Sequence, residues 1–210
     1  MRDEELRRRI GRVRGSGKHE GGFTLIEFLI AVAILAPVLG ASVILATQLQ
    51  RVYGSRLDDA TVEEEVRFSV DWIAQALRNA GSNPYSIGGF EPIDVNEDGT
   101  SIRVLADVNP PDGLTTSANE DLTIAFDAGE RVITRDDNSV VADPEQMTEP
   151  VIAGLLFTLF DSNGNQLDDG EEGSTAYVRV RVTGRSPVFS PTLGGYPETT
   201  LETEVRVRTR

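Results

Sequence analysis

The sequence predicts an α+β fold: one long N-terminal helix, a membrane half followed by an amphipathic half, packed on an antiparallel β-sheet head. Three observations predict it. Phe28 to Ala46 run nineteen residues without a charge. Val66, Val70, Ile73 and Leu77 then recur at i, i+4, i+7 and i+11, the spacing of one helix face. Beyond Gly81 the pattern changes to alternation of apolar and polar residues, at Ile102/Val104/Ala106, at Leu122/Ile124/Phe126, and over residues 177–182 and 202–207. A helix with one apolar face and strands with one apolar face bury both by layering.

The chain has 210 residues, enough for one domain plus an appendage. Its charge is uneven. Residues 1–22 hold seven basic groups (Arg2, Arg7, Arg8, Arg9, Arg12, Arg14 and Lys18) against four acidic ones, and the remaining residues hold 13 Arg against 30 Asp and Glu. So acidic a body has no stripe with which to neutralise phosphates, and nucleic acid is not an expected partner. There is no cysteine, and the only Lys and the only His, Lys18 and His19, both lie in the basic head. If that head is removed, no His base, no Cys or Lys nucleophile, no Ser-His-Asp triad and no phosphate-binding P-loop remains. An enzyme is therefore not expected. Adjacent acids such as Asp168/Asp169 and Glu171/Glu172 are expected to be solvated rather than catalytic.

With residues 23–26 before it, the apolar stretch is about 24 residues long, and roughly 20 helical residues span a bilayer. A basic head before an apolar run places residues 1–22 on the cytoplasmic side and the rest across the membrane. An ordinary secretory signal would have a shorter apolar region ending in a small-residue cleavage site, and only Gly40-Ala41-Ser42, inside the run, approaches one. Glu27 interrupts the apolar character. An acidic side chain at the centre of the hydrocarbon costs about 2.5–3.5 kcal/mol on insertion scales, so such a residue is expected to have a partner. Gly21-Gly22 is a flexible pair suited to the extended substrate of a protease. Cleavage after Gly22 would give Phe23 a free α-amine four residues before Glu27, a cation able to neutralise it in its own chain or a neighbour's.

Gly22-Phe23-Thr24-Leu25-Ile26-Glu27, preceded by a basic head and followed by an apolar helix, resembles the class III signal of type IV prepilins and type II secretion pseudopilins. The resemblance implies cleavage between Gly22 and Phe23 by a prepilin peptidase and N-methylation of Phe23. It implies that Glu27 pairs with the Phe23 amine of an adjacent subunit, and that other pilins or pseudopilins, an inner-membrane assembly platform and membrane lipid are the partners. One departure is Pro37, which removes a helix hydrogen bond earlier than pilin prolines usually do, and a kink is expected there.

The domains expected are a cleaved leader over 1–22, a transmembrane and assembly helix over 23–47, an amphipathic continuation over 48–81 and a β-rich head over 82–210. Gly54-Ser55 is a candidate break, and Gly81 after Asn79-Ala80 reads as the helix stop. Residues 63–85, ending in Ala76-Leu77-Arg78-Asn79-Ala80-Gly81, resemble the same region of PilW-like minor pilins and J-type pseudopilins. In the head, Val132-Ile133 reads as a short strand after a turn. Residues 151–160 (VIAGLLFTLF) are too apolar for a two-faced strand, and a central buried one is expected. Pro- and Gly-containing linkers fall at 82–101, 109–120 and 186–198.

Two acidic loops are candidate calcium sites. Asp94, Asn96 and Asp98 stand at positions 1, 3 and 5 of an EF-hand-like loop with Gly99 at 6, but position 12 is Leu105. Asp161, Asn163, Asn165, Asp168 and Glu172 offer oxygens at positions 1, 3, 5, 8 and 12 of a second loop, with Gln166 in place of the turn glycine. Asx-rich clusters also make plain turns between strands. Oxygen ligands without Cys or His favour a structural Ca²⁺ over zinc or copper. The function expected is a structural minor pilin or pseudopilin. A major pilin and a tip adhesin or ligand-binding pilin stay open, as does the choice between pilus and secretion system.

Overall fold

The computed structural model describes residues 22–86, 89–108, 110–140, 143–168, 170–190 and 193–208. Helix α1 covers Leu25–Asn79. Among the described residues eight strands follow: β1 (Ile93–Val95), β2 (Ser101–Leu105), β3 (Asp121–Asp127), β4 (Val132–Asp137), β5 (Glu145–Gln146), β6 (Ile152–Phe160), β7 (Tyr177–Arg185) and β8 (Glu198–Arg206). They form two antiparallel sheets, one of order β1-β2-β3-β4-β5 and one of order β6-β7-β8. The α+β class is as expected, with two sheets in place of one. The chain divides into two compact units, Met1–Gln50 and Arg51–Arg210.

In the first unit the helix runs through Pro37 without interruption. Its apolar side chains are exposed on every side, Leu29, Ile34, Leu39 and Ile44 each by more than half. The stretch is long and apolar enough to cross a membrane. Two of its polar side chains bond to the helix backbone, Ser42 Oγ donating to the Val38 carbonyl and Thr47 Oγ1 to the Ile44 carbonyl, both at 2.8 Å. That is the arrangement a helix in hydrocarbon requires.

In the second unit the helix continues through Gly54-Ser55. Val62, Val66, Val70, Ile73, Ala74 and Leu77 are buried and form one core with inward residues of both sheets, among them Ile102, Ile124, Ile133, Phe157, Val180 and Val205. The helix stops as predicted. Gly81 takes φ +71°, and its N–H donates to the Leu105 carbonyl at 2.9 Å. A Cβ there would also press on the Arg208 carbonyl, so the position needs glycine for both conformation and space.

The expected centre of the sheet is corrected. β6 is an edge strand of its sheet, and β7 is the central one. β6 is apolar because turns of the other sheet cover its free edge: Phe157 N–H donates to the Gly99 carbonyl at 2.7 Å and Ile152 N–H to the Arg131 carbonyl at 3.0 Å. A covered edge has no need of the polar residues that protect an open one.

Two buried carboxylates organise the linker between β2 and β3. Asp107 accepts from the Asp112 and Gly113 N–H groups at 3.0 and 2.9 Å. Glu120 accepts from those of Val108 and Ser117, both at 2.9 Å. Next to them Arg103 forks onto Asp121, Nε to Oδ1 at 2.8 Å and Nη2 to Oδ2 at 2.6 Å, and Asn138 Nδ2 adds a bond at 2.8 Å. The Arg103 hydrogen bonds hold the Asp121 carboxyl below the usual carboxylate range, against the opposing effect of burial. A depressed folded pKa contributes stability above the unfolded pKa, and that contribution is lost as pH falls through the folded value. Asp121→Asn is therefore expected to lower Tm at neutral pH, and its deficit against the wild type should shrink as pH drops below the carboxylate range. Thermal melts at a series of pH values check this, and a deficit independent of pH would show that the charge of Asp121 is immaterial.

Candidate functional site

The N-terminal segment is built from the first turn of α1. Four N–H groups at a helix start lack internal partners. Here Thr24 precedes the helix and Glu27 lies in its first turn. Glu27 Oε2 accepts from Thr24 N–H and from Thr24 Oγ1, both at 2.8 Å, while Glu27 N–H donates back to Thr24 Oγ1 at 3.3 Å. This is a reciprocal capping box. The T-x-x-E spacing before an apolar run carries that signal in the sequence, beside the ionic role of Glu27. Capping takes up only one carboxylate oxygen, so Oε1 can still face a cation. Gly22 and Phe23 precede the helix in an exposed, non-helical stretch, with Phe23 91 % exposed. A peptidase needs such an extended substrate. The basic head, residues 1–21, lies outside the described residues.

The two acidic loops, read separately in the sequence, meet at one cleft of about 170 Å³. It is lined by Asn96 and Glu97 from the β1–β2 turn and by Gln166, Asp168 and Glu172 from the β6–β7 connection, over Phe157 and Leu159. Asp94, Asp98, Asp161, Asn163 and Asn165 are not among its lining residues. Asn96 spends its side chain on the turn, Oδ1 accepting from Ser101 N–H at 2.9 Å and Nδ2 donating to Thr100 Oγ1 at 3.1 Å. Asp161 does the same. Its Oδ1 accepts from the Asn163 and Asn165 N–H groups at 2.8 Å, and its Oδ2 from Asn165 Nδ2 at 2.9 Å. The Asn165 and Asn163 donors push its carboxyl down to about 2. In this arrangement amide nitrogens face the Asp161 carboxylate and close the turn. Among the described residues no group of three or more His, Cys, Asp or Glu side chains comes together in a way that could hold a metal ion. Asp169 lies outside the described residues.

Arg206 ends β8 and Arg208 follows it, while Arg210 is outside the described residues. The outward residues of the last two strands pair across the ladder, Arg179 with Glu204 at 2.6 Å and Arg181 with Glu202. These exposed pairs add little to stability.

No curated protein and no solved structure matches the chain. Residues 17–46 match the family model of the prokaryotic N-terminal methylation motif. That match spans the Gly22-Phe23 junction, the capping box and the apolar half of α1. The chain therefore carries a prokaryotic N-terminal methylation motif, the class III signal found on type IV prepilins and pseudopilins.

Proposed function

We propose that the chain is a structural minor pilin or pseudopilin. It is cut between Gly22 and Phe23 by a prepilin peptidase, methylated on Phe23, and assembled with other pilins through α1. It performs no chemistry itself. One observation carries the proposal: the methylation motif falls on a helix whose first half, residues 25–50, is apolar all round and holds one carboxylate, Glu27, in its first turn.

The mechanism follows from solvation. While the subunit resides in the inner membrane, with its N-terminus cytoplasmic and its head outside, the helix buries its side chains in lipid. Glu27 then has only its cap. In a filament the same side chains pack on neighbouring helices, and the Phe23 amine of an adjacent subunit supplies the counter-charge that lipid cannot. A helix docked in the wrong register leaves both charges unpaired, so the pair selects register as well as adding energy. The assembly platform of the inner membrane drives extraction.

The test is the N-terminal mass of the protein from native membranes and from sheared filaments. A chain beginning at N-methylated Phe23 is expected. Gly22→Ala is expected to slow processing, and a bulkier residue at that position to block it. A mature chain that keeps residues 1–22, or one cut near residue 42, would overturn the proposal. Abundance in the filament separates a minor from a major subunit.

A further inference from the structure

Among the described residues the longest open strand edge is that of β8, nine residues. In an antiparallel ladder, directly opposed residues alternate between a pair that exchanges two hydrogen bonds and a pair that exchanges none. Ser186 N–H donates to the Pro197 carbonyl and Val207 N–H to the Ala176 carbonyl, one step beyond each end of the register that sets Arg185 against Glu198 and Tyr177 against Arg206. The odd-numbered residues of β8 therefore bond to β7. The N–H and C=O groups of Glu198, Thr200, Glu202, Glu204 and Arg206 point away from it, and among the described residues no other backbone group bonds to them. The other edges differ: turns cover β6, while β1 and β5 are three and two residues long.

The side chains along this edge are ordered by charge. On the outer face Glu198, Glu202 and Glu204 are followed by Arg206 and, just beyond β8, Arg208, all exposed. Arg179 and Arg181 of β7 engage only Oε1 of Glu204 and Glu202, so Oε2 of each can take a second cation. Among the described residues Arg206 and Arg208 have no ion-pair partner. On the inner face Val205 and Val207 are buried and belong to the core, so a further strand beside them would continue an apolar layer.

An acidic stretch followed by a basic one complements itself when reversed. Antiparallel pairing of β8 with β8 of a second copy, centred on Val205, sets Glu204 opposite Arg206 and Glu202 opposite Arg208, each twice by symmetry. Both are pairs of edge-facing residues, as the hydrogen bonds require. Centring on Thr203 would set Glu202 against Glu204, and centring on Glu204 or on Arg206 would set that residue against its own copy. Opposite charges across a strand pair stabilise and like charges destabilise, so charge selects one register. Charged edges resist indiscriminate pairing, and this one is complementary to itself.

We propose that the free edge of β8 is a homotypic contact: two copies of the chain join their β8 strands antiparallel around Val205, with Glu202 and Glu204 of each facing Arg208 and Arg206 of the other. Its polarity follows from the head alone. Gly184, opposite Thr199 in the ladder, lies against Val62 and Val66, and Gly81 lies against Arg208, so β8 runs in the same direction as residues 62–79 of α1. The antiparallel pair sets those helix segments in opposite directions. A helical filament repeats its subunit in one orientation, so the contact joins heads on separate filaments or facing membranes. The contact itself is a property of the head and does not rest on the pilin reading; its placement between filaments does. A junction of one strand per copy is small and belongs to the transient class, and its ion pairs weaken as salt rises.

The chain has no cysteine, so a single spin label can be placed on Thr200→Cys. In the register centred on Val205 two such labels stand ten residues apart along the joined strands, roughly 33 Å. Electron–electron distance measurement on the full chain in detergent is expected to show that peak at high protein concentration and to lose it on dilution. Arg206→Glu alone and Glu204→Arg alone, each shown to be folded by its thermal melt, are expected to abolish the peak by setting like charges opposite one another. Their mixture is expected to restore it, because each variant supplies the charge that the other lacks. Absence of the peak from the labelled parent chain, its survival in Arg206→Glu, or a mixture that stays apart would overturn the contact. Association without the peak would assign self-contact to α1, and would overturn the edge contact as well. Processing at Gly22 bears on none of these results, so the N-terminal mass tests the pilin reading separately.

Discussion

Glu27→Gln and Glu27→Ala are both expected to remain in the membrane and to be lost from filaments, each by about a hundredfold. Glutamine preserves the reciprocal hydrogen bonds of a capping box, because its amide oxygen accepts and its size is unchanged. It removes only the charge. Alanine removes both. Thr24→Val does the converse, sparing the charge while removing the hydroxyl that bonds Glu27. Loss of a cap costs about 0.5–2 kcal/mol of helix stability, and frays one turn of a helix that extends to Asn79. Leaving the Phe23 ammonium without its counter-charge in an apolar filament core costs about 2.5–3.5 kcal/mol, which at 1.4 kcal/mol per tenfold gives the hundredfold figure. The ratio of each variant in sheared filaments to that in membranes, read by immunoblot, decides between the roles. Normal incorporation of Glu27→Gln with failure of Glu27→Ala would make Glu27 a helix cap and nothing more. Failure of both, with Thr24→Val near normal, would establish the ionic role.

Gly184→Val is expected to destabilise the head by about 3 kcal/mol, at the upper end of overpacking substitutions. Gly184 has an ordinary strand conformation, so no backbone strain is involved. The cause is space. A Cβ at this position would stand 2.7 Å from Val62 Cγ1 and closer still to Val66 Cγ2. Both valines are buried, and neither has a flexible end that can swing away. Strand β7 reaches the helix at this point only because it lacks a side chain here. Val66→Ala alone leaves a cavity and is also destabilising, but it opens the volume that the new side chain needs. The double variant is therefore expected to be more stable than the sum of the single changes predicts, a coupling that thermal melts of the full chain in detergent can measure. Strict additivity would show that the helix and β7 do not meet as described.

Much of this protein could be read from local pattern. The class III junction, the apolar run, the helix face of Val66, Val70, Ile73 and Leu77, the Gly81 stop and strands β2, β3, β7 and β8 each depend on residues close together in the chain, where periodicity and turn chemistry act. Strands β1 and β5, three and two residues long, are too short to show a period. Thr24-x-x-Glu27 carries the capping-box spacing as well as the charge, so one local pattern serves both roles.

The tertiary structure decided the rest. Alternation identifies a strand but not its neighbour, so two sheets were indistinguishable from one, and the apolar β6 looked central when turns of the other sheet cover its edge. The acidic turns at 94–99 and 161–172 share a cleft only because Phe157 bonds to Gly99 across the sheets. The need for glycine at 184 comes from Val62 and Val66 of the helix packed against it. In each case the deciding contact joins residues far apart in sequence, and the chain alone carries no local signal of a neighbour brought by folding.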